Sequence, residues 1–273
     1  MLVRGILWRY RAVLKVSRRL SRRSSQHDST YFPTPDLEDL TVAAQRLPGP
    51  QYYQVLAWIH RILRPANYLE IGLSNGISLR RAIKGTRCIG VDPSPQIGHD
   101  CPGATIYEMT SDEFFEGRDL EELLGGPVEL AFIDGLHRFE QVLRDFVNVE
   151  RHSGPETVIV LHDCLPLNAA TASRERVTYF YSGDVWKSVL ALRRERPDLE
   201  MATVRTAPTG LCLVRGGDNR NTGFEGKLGK IVESYVDYDF DYYLAHRNEM
   251  PDEIANNRRT VRSWLARSAG SRQ

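Results

Sequence analysis

The stretch VELAFIDGLHRFE, residues 128–140, decides the fold of this chain. Its first half is an apolar run typical of a buried strand, and its second half begins an amphipathic helix that continues to residue 150. Asp134 and His137 stand at the junction, three residues apart. Folding alone would not require an acid and an imidazole at the lip of a sheet. The junction is therefore the first candidate for a functional site.

Strands alternate with helices on both sides of this junction. Apolar, strand-like segments occupy residues 67–73, 87–94, 104–111, 128–135 and 156–163. Helical segments between them, including a short one over 76–84, indicate a parallel sheet with right-handed crossovers. Two later segments, DLEMATVRT and GLCLVRG, predict an antiparallel hairpin. The predicted fold class is α/β: a doubly wound, mostly parallel, seven-stranded sheet with an antiparallel edge hairpin and helical N- and C-terminal extensions.

Composition and charge restrict the function classes. The chain has 273 residues and a net charge of +1, so no overall field indicates nucleic-acid binding. Its four cysteines are scattered, which argues against a zinc site or a disulfide scaffold. No apolar run approaches the ~20 residues that span a bilayer. We predict a basic extension and linker over 1–35, a catalytic domain over 36–216 and a helical extension over 217–273.

The first 25 residues carry eight arginines and lysines and no acid. Leucines and isoleucine interleave with them at roughly helical spacing, which is typical of an amphipathic helix on an anionic membrane surface. A disordered basic tail explains the same composition, and both interpretations stay open. Arginines interrupt every apolar run, so the segment is not a good signal peptide.

Polar residues follow five successive strands. These strand ends are Glu70–Gly76, Asp92, Thr110–Asp112, Asp134–His137 and His162–Asp163. Ligands of open parallel sheets bind beyond such ends. Gly72 and Gly76 let the backbone approach a ligand, and Asp92 can accept both hydroxyls of a ribose. Ser74 replaces the middle glycine of a dinucleotide motif, which favours a nucleoside without a pyrophosphate.

These residues resemble the class I S-adenosylmethionine (AdoMet)-dependent methyltransferases, and YLEIGLSNG and GVDPSP are similar to their first two motifs. The closest resemblance is to a bacterial branch that contains sugar O-methyltransferases of antibiotic biosynthesis and cephalosporin-hydroxylase-like proteins. It is carried by TSDEFF at 110–115, FIDGLHRFE at 132–140, VLHD at 160–163 and GDVWK at 183–187. The implied fold is a Rossmann-like methyltransferase fold over roughly residues 50–215. Trp186 of the last motif either closes the substrate pocket or lies in the core.

The resemblance implies the roles of the site residues. His137 would be the general base, aided by Asp134, and Asp134 and Asp163 would bind a divalent ion. His162 stands where relatives have a second acid; either the metal uses the two aspartates and water, or a softer ion such as Mn²⁺ replaces Mg²⁺, or no metal binds. The residues expected to bind the cofactor are Glu70, Gly72, Ser74, Gly76, Asp92, Ser111 and Asp112. Asp112 is equally well explained as a helix cap.

The predicted function is AdoMet-dependent methylation of a hydroxyl of a sugar or glycosylated metabolite. The alternative is a methyltransferase-like binding or assembly protein without turnover, recruited to a membrane by its basic N-terminus. The expected partner is a small-molecule or glycan acceptor and not a nucleic acid. The expected location is the cytoplasm. Membrane contact through residues 1–25 at the inner surface and homo-oligomer formation are left open.

Overall fold

The computed structural model of the protein describes residues 37–101, 103–217 and 222–267. The predicted basic extension, residues 1–35, lies outside these ranges. Within them, no helix is both long and apolar enough to cross a membrane.

Eight strands and ten α-helices make up the described part of the chain. The strands are β1 Asn67–Ile71, β2 Arg87–Val91, β3 Ala104–Tyr107, β4 Val128–Ile133, β5 Ser153–His162, β6 Glu200–Val204, β7 Leu211–Arg215 and β8 Glu253–Ile254. The first five helices are α1 Leu37–Arg46, α2 Tyr52–Leu63, α3 Ser111–Gly117, α4 Leu120–Leu124 and α5 Phe139–Arg151. The remaining helices are α6 Trp186–Glu195, α7 Thr222–Glu225, α8 Leu228–Tyr235, α9 Phe240–Ala245 and α10 Arg258–Leu265.

The strands form one sheet in the order β3-β2-β1-β4-β5-β7-β6-β8. β1 to β5 are parallel, and β7 runs antiparallel between β5 and β6. The predicted mostly parallel α/β sheet with an antiparallel hairpin is confirmed. The structure adds an eighth strand to the seven predicted, because the two-residue β8 pairs with β6 and covers what would be an open edge.

Apolar side chains cover both faces of the sheet. Alternate residues of a strand point to opposite faces, so Phe132 and Ile133 of β4 belong to two separate buried clusters. The cluster on one face packs against α5 and α6, and the other packs against α2 and α10. Burial of each large apolar side chain contributes about 1.5–3 kcal/mol. The double covering explains why residues 158–161, in the buried part of β5, are all apolar.

The segment after β1 differs from the predicted helix over 76–84. It contains only one 3-10 turn, Leu79–Arg81. The hydroxyl of Ser78, just before this turn, donates to the buried carboxyl of Glu70. Gly76 has φ +70°, outside the right-handed helical region, so a regular α-helix does not begin at this residue.

Candidate active site

One cavity of about 750 Å³ lies at the carboxyl ends of β1, β2, β4 and β5. Its other walls come from residues 51–53 at the start of α2, 176–181 before α6, and 208–209 between β6 and β7. The predicted site residues that line it are Gly72, Ser74, Asp92, Ser111, Asp112, Asp134, His137, His162 and Asp163. The sheet therefore brings the predicted cofactor and catalytic residues into a single space.

Asp92 organises the loop that follows β1. Its Oδ2 accepts hydrogen bonds from the amides of Leu73 and Ser74 at 2.7 and 2.9 Å, and its Oδ1 accepts one from Ser94 at 2.8 Å. The carboxylate thus fixes the loop after β1 from the end of β2. It also faces the cavity, where one of its oxygens accepts only a single amide.

Gly72 sets the distance between the β1 loop and the β4 loop. It has φ +86°, and a Cβ at this position would overlap the carbonyl group of Asp134. Only glycine permits both the backbone angle and the contact. The loop that carries Asp92's partners and the loop that carries Asp134 are therefore in direct backbone contact.

Glu70 and Gly76 lie behind the loop instead of on the cavity wall. Glu70 is fully buried and accepts hydrogen bonds from the hydroxyls of Tyr68, at 2.6 Å, and Ser78. Burial raises the pKa of Glu70 to about 8, although both hydroxyls oppose the shift. Gly76 packs beside Ile97. Their predicted role in cofactor binding therefore stays a prediction, and any such role acts through the shape of the loop.

The first turn of α3 carries Ser111 and Asp112 to the wall of the cavity. Thr110 caps this helix, and its side chain and that of Glu113 each accept from the other's backbone amide. The interpretation of Asp112 as the cap is therefore wrong. The amide of Gln141 donates to Asp112 at 3.0 Å and to Ser111 at 3.2 Å. Sequence analysis missed Gln141 because it occupies an inconspicuous position in an amphipathic helix.

Two carboxylates and two imidazoles meet at the ends of β4 and β5. His162 Nδ1 lies 2.9 Å from Asp134 Oδ1 and 3.2 Å from Asp163 Oδ2. His137 Nε2 approaches the same two oxygens, at 3.5 and 3.2 Å. Asp163 has a backbone φ of +61° and accepts a hydrogen bond from the hydroxyl of Thr209. The four side chains share one small volume.

The charges in this cluster shift one another. Burial disfavours a charged imidazole, but the two carboxylates outweigh it and raise the pKa of His162 to about 10. Burial likewise opposes charge on His137, and Asp163 and Asp134 raise its pKa above the usual value. The pKa of Asp134 falls well below its usual range because the imidazoles overcome the effect of burial. The cluster therefore favours an ionised Asp134 beside protonated rings.

Tyr181 selects the ring nitrogen of His137 that faces the cluster. Its carbonyl oxygen lies 2.7 Å from His137 Nδ1, so Nδ1 donates and Nε2 is left toward the two aspartates. The rings of Tyr181 and His137 stack with centroids 5.3 Å apart. The Tyr52 ring packs at a tilt against two rings, with centroid distances of 4.1 Å to His162 and 3.9 Å to Tyr53.

Tyr52 lies on the apolar face of α2, and helical periodicity alone does not distinguish a residue that faces the core from one that faces a cavity. Trp186, which was left between pocket and core, lies in the core and packs against Tyr243.

Comparison with known families bears directly on this arrangement. Residues 69–164 match a family model described as "Methyltransferase domain". These residues form a methyltransferase domain. The match begins within β1 and ends just after Asp163, so it includes all four side chains of the cluster, those of Asp134, His137, His162 and Asp163. The prediction of a methyltransferase is therefore confirmed for these residues.

No curated protein matches the sequence. Among solved structures, the chain is similar to cofactor-bound Rv0187 from MTB at 17% identity and a TM-score of 0.49, over 75% of this chain and 97% of that one. It is also similar to the O-methyltransferase TomG from Streptomyces achromogenes, which is involved in tomaymycin synthesis and was solved with SAM. The identity is 16% and the TM-score 0.47, over 74% of this chain and 96% of that one. The chain is also similar to an O-methyltransferase from Bacillus cereus in complex with SAH, at 18% identity and a TM-score of 0.44, over 74% of this chain and 97% of that one.

The cluster of the methyltransferase has the donors of a metal site. One ligand atom each from Asp134, His162 and Asp163 lies within 4.8 Å of the others. Asp163 Oδ2 and His162 Nε2 are buried, and no residue in the described ranges makes a hydrogen bond to either atom. Two carboxylates with an imidazole suit Mn²⁺ or another transition metal better than Mg²⁺, which prefers oxygen ligands. The residues fit a divalent ion, provided that His162 Nδ1 loses its proton.

Proposed function

We propose that this methyltransferase transfers the methyl group of AdoMet to a hydroxyl of a sugar or glycosylated metabolite. One observation carries the proposal: a single cavity joins the loop held by Asp92 to the cluster of Asp134 and His137. We assign the chemistry to residues 36–216, with the C-terminal segment, residues 217–273, as an extension that supports the sheet.

The nucleoside of AdoMet would occupy the end of the cavity formed by β1, β2 and α3. Asp92 Oδ1 accepts one amide only and can still accept a ribose hydroxyl, and Asp112 can accept from the adenine amino group. The turn lacks the middle glycine that would let a pyrophosphate approach, since Ser74 stands there. This favours AdoMet over a dinucleotide.

The methyl transfer would take place beside the cluster. The hydroxyl oxygen of the acceptor attacks the methyl carbon in line with the sulfonium, the carbon–sulfur bond breaks, and S-adenosylhomocysteine leaves. The hydroxyl proton passes to Nε2 of His137, because Nδ1 already donates to Tyr181. Alignment of the two reacting atoms supplies most of the acceleration in such a displacement.

A divalent ion, if the methyltransferase uses one, would be held by Asp134, Asp163 and His162. When bound, such an ion lowers the pKa of a coordinated hydroxyl. Without it, the imidazoles supply the positive charge that the two carboxylates require. The His162→Asp variant would restore two acids at the end of β5 and should bind Mg²⁺ more tightly than the wild type, as isothermal titration with the metal alone would measure.

Aromatic rings form the walls where the acceptor would sit. Tyr52 and Tyr53 come from the start of α2, and Tyr179 and Tyr181 come from the segment before α6. Ring faces of this kind stack on sugar and phenolic rings alike. Arg176, the one arginine or lysine among the described residues that line the cavity, lies over the Tyr181 ring at 5.8 Å.

The test is a methyl-transfer screen with labelled AdoMet over sugar, glycolipid and phenolic acceptors. The His137→Gln variant is the matched control: it should bind S-adenosylhomocysteine normally and lose turnover by about 10²–10⁴-fold. Methylation of phenolic acceptors alone would replace the sugar assignment. Failure of the folded wild type to bind either AdoMet or S-adenosylhomocysteine would refute the proposal as a whole.

A further inference from the structure

The turn between β4 and α5 carries His137, and the segment 181–184 packs directly on it. We infer that Gly183 and Asp184 are positioning residues that hold His137 toward the two aspartates. This inference rests on the proposed role of His137 as the base. It gives a function to the first half of the GDVWK motif, which the site itself does not use.

Gly183 allows the two backbones to touch. It has φ +54°, and a Cβ at this position would overlap the carbonyl oxygen of His137 and lie 2.8 Å from the His137 Cβ. Any side chain at position 183 must push this turn away. The glycine therefore fixes the distance between the segment 181–184 and the backbone of His137.

Asp184 fixes where α5 begins. Its Oδ1 accepts the amide of Phe139 at 3.0 Å, whereas the residue at the helix N-cap, Arg138, provides no side-chain cap. Asp184 is only 1% exposed, and its other oxygen pairs with Arg174 and with Lys187, the latter at 3.3 Å. Two cations thus hold a carboxylate that caps the helix from another part of the chain.

The same segment also fixes the ring of His137. The carbonyl of Tyr181 accepts from His137 Nδ1, and its ring stacks on the imidazole. Three residues of the segment 181–184, namely Tyr181, Gly183 and Asp184, therefore determine the backbone position of His137, the start of the following helix and the ring nitrogen that faces the cavity. Capping α5 would require only the carboxylate; the contacts to the backbone and ring of His137 point to positioning of the base.

The first test compares Gly183→Ala with Gly85→Ala. Gly85 has φ +95°, and no heavy atom lies within 4 Å of a Cβ built there. Both variants therefore place alanine at positive φ, but only Gly183→Ala collides with His137. We expect turnover to fall by about 10²-fold in Gly183→Ala alone, the usual effect of a misplacement of about 1 Å. Binding of S-adenosylhomocysteine should be unchanged in both. Equal turnover in the two variants would overturn the inference.

The second test does not need turnover. Histidine ¹⁵N spectra of the wild type, assigned with His137→Gln, should show His137 protonated at Nδ1. Asp184→Asn keeps the oxygen that accepts from Phe139 and should keep this signature, whereas Asp184→Ala should lose it. A wild-type ring without a proton on Nδ1, or identical spectra in all three proteins, would overturn the inference. A normal spectrum in a protein that does not bind S-adenosylhomocysteine would instead refute the proposed function.

Discussion

Replacement of Asp92 by alanine removes one carboxylate that accepts hydrogen bonds from Leu73, Ser74 and Ser94 and, on our proposal, from the ribose of AdoMet. A hydrogen bond to a charged group contributes about 1.5–3 kcal/mol. The three amides are partly exposed and regain water when the carboxylate is lost, so their contributions largely cancel. We therefore expect the loss of one ribose bond, which weakens AdoMet binding by about 10- to 150-fold.

Isothermal titration with AdoMet and with S-adenosylhomocysteine measures this loss. Asp119→Ala is the matched control, because Asp119 also accepts a backbone amide, from Glu122 at 3.1 Å, but does not line the cavity. That variant should bind both ligands like the wild type. Unchanged affinity in folded Asp92→Ala would refute the ribose assignment. An equal loss in Asp119→Ala would show that the effect is general destabilisation.

Four further results are expected. His60 is buried without a hydrogen-bond partner in the described part of the chain, and burial lowers its pKa to about 4. Between pH 7.5 and 5 the unfolded chain gains a proton at His60 and the folded chain does not. The free energy of unfolding should therefore fall by about 2 kcal/mol over this range because of this residue. Urea titrations at the two pH values should show this fall in the wild type, and His60→Leu should lack this contribution. Turnover should rise with pH through an apparent pKa above 6.5, because only the unprotonated ring of His137 accepts a proton and its carboxylate neighbours raise its pKa; a pH–rate limb at or below 6.5 would contradict the base. If the site holds an ion, excess chelator should reduce turnover as much as Asp163→Asn does. Full activity in excess chelator would show that no metal takes part. Deletion of residues 1–25 should leave AdoMet affinity intact and, if that segment is a membrane anchor, abolish salt-sensitive flotation with anionic vesicles; equal flotation of the two proteins would rule the anchor out.

The sequence predicts the sheet and the position of the site because both depend on local patterns. Strand interiors such as residues 158–161 of β5 are continuous apolar runs, and polar residues such as Asp92 and Asp134 directly follow β2 and β4. Parallel strands end at one edge, so these residues had to converge. The two-residue β8 escapes such reasoning, since a strand this short has no period to detect.

The residues that complete the site lie beyond the reach of local patterns. Gln141 and Tyr52 belong to amphipathic helices. The periodicity of such a helix indicates which face is buried, but not which residues or which cavity that face contacts. The contact of Gly183 with His137 joins segments 46 residues apart in the chain. Only the folded backbone shows that this glycine contacts the turn after β4.

The contact between Gly72 and the carbonyl group of Asp134 has a consequence for protein engineering. The backbones of the two loops are in direct contact with no side chain between them. Neither loop can therefore be exchanged alone for that of another enzyme without disrupting this contact. A chimaera that alters acceptor choice should transplant both loops together. Alternatively, it can leave both in place and exchange the wall over 176–180, which contributes aromatic side chains to the cavity without taking part in that contact and stops short of Tyr181.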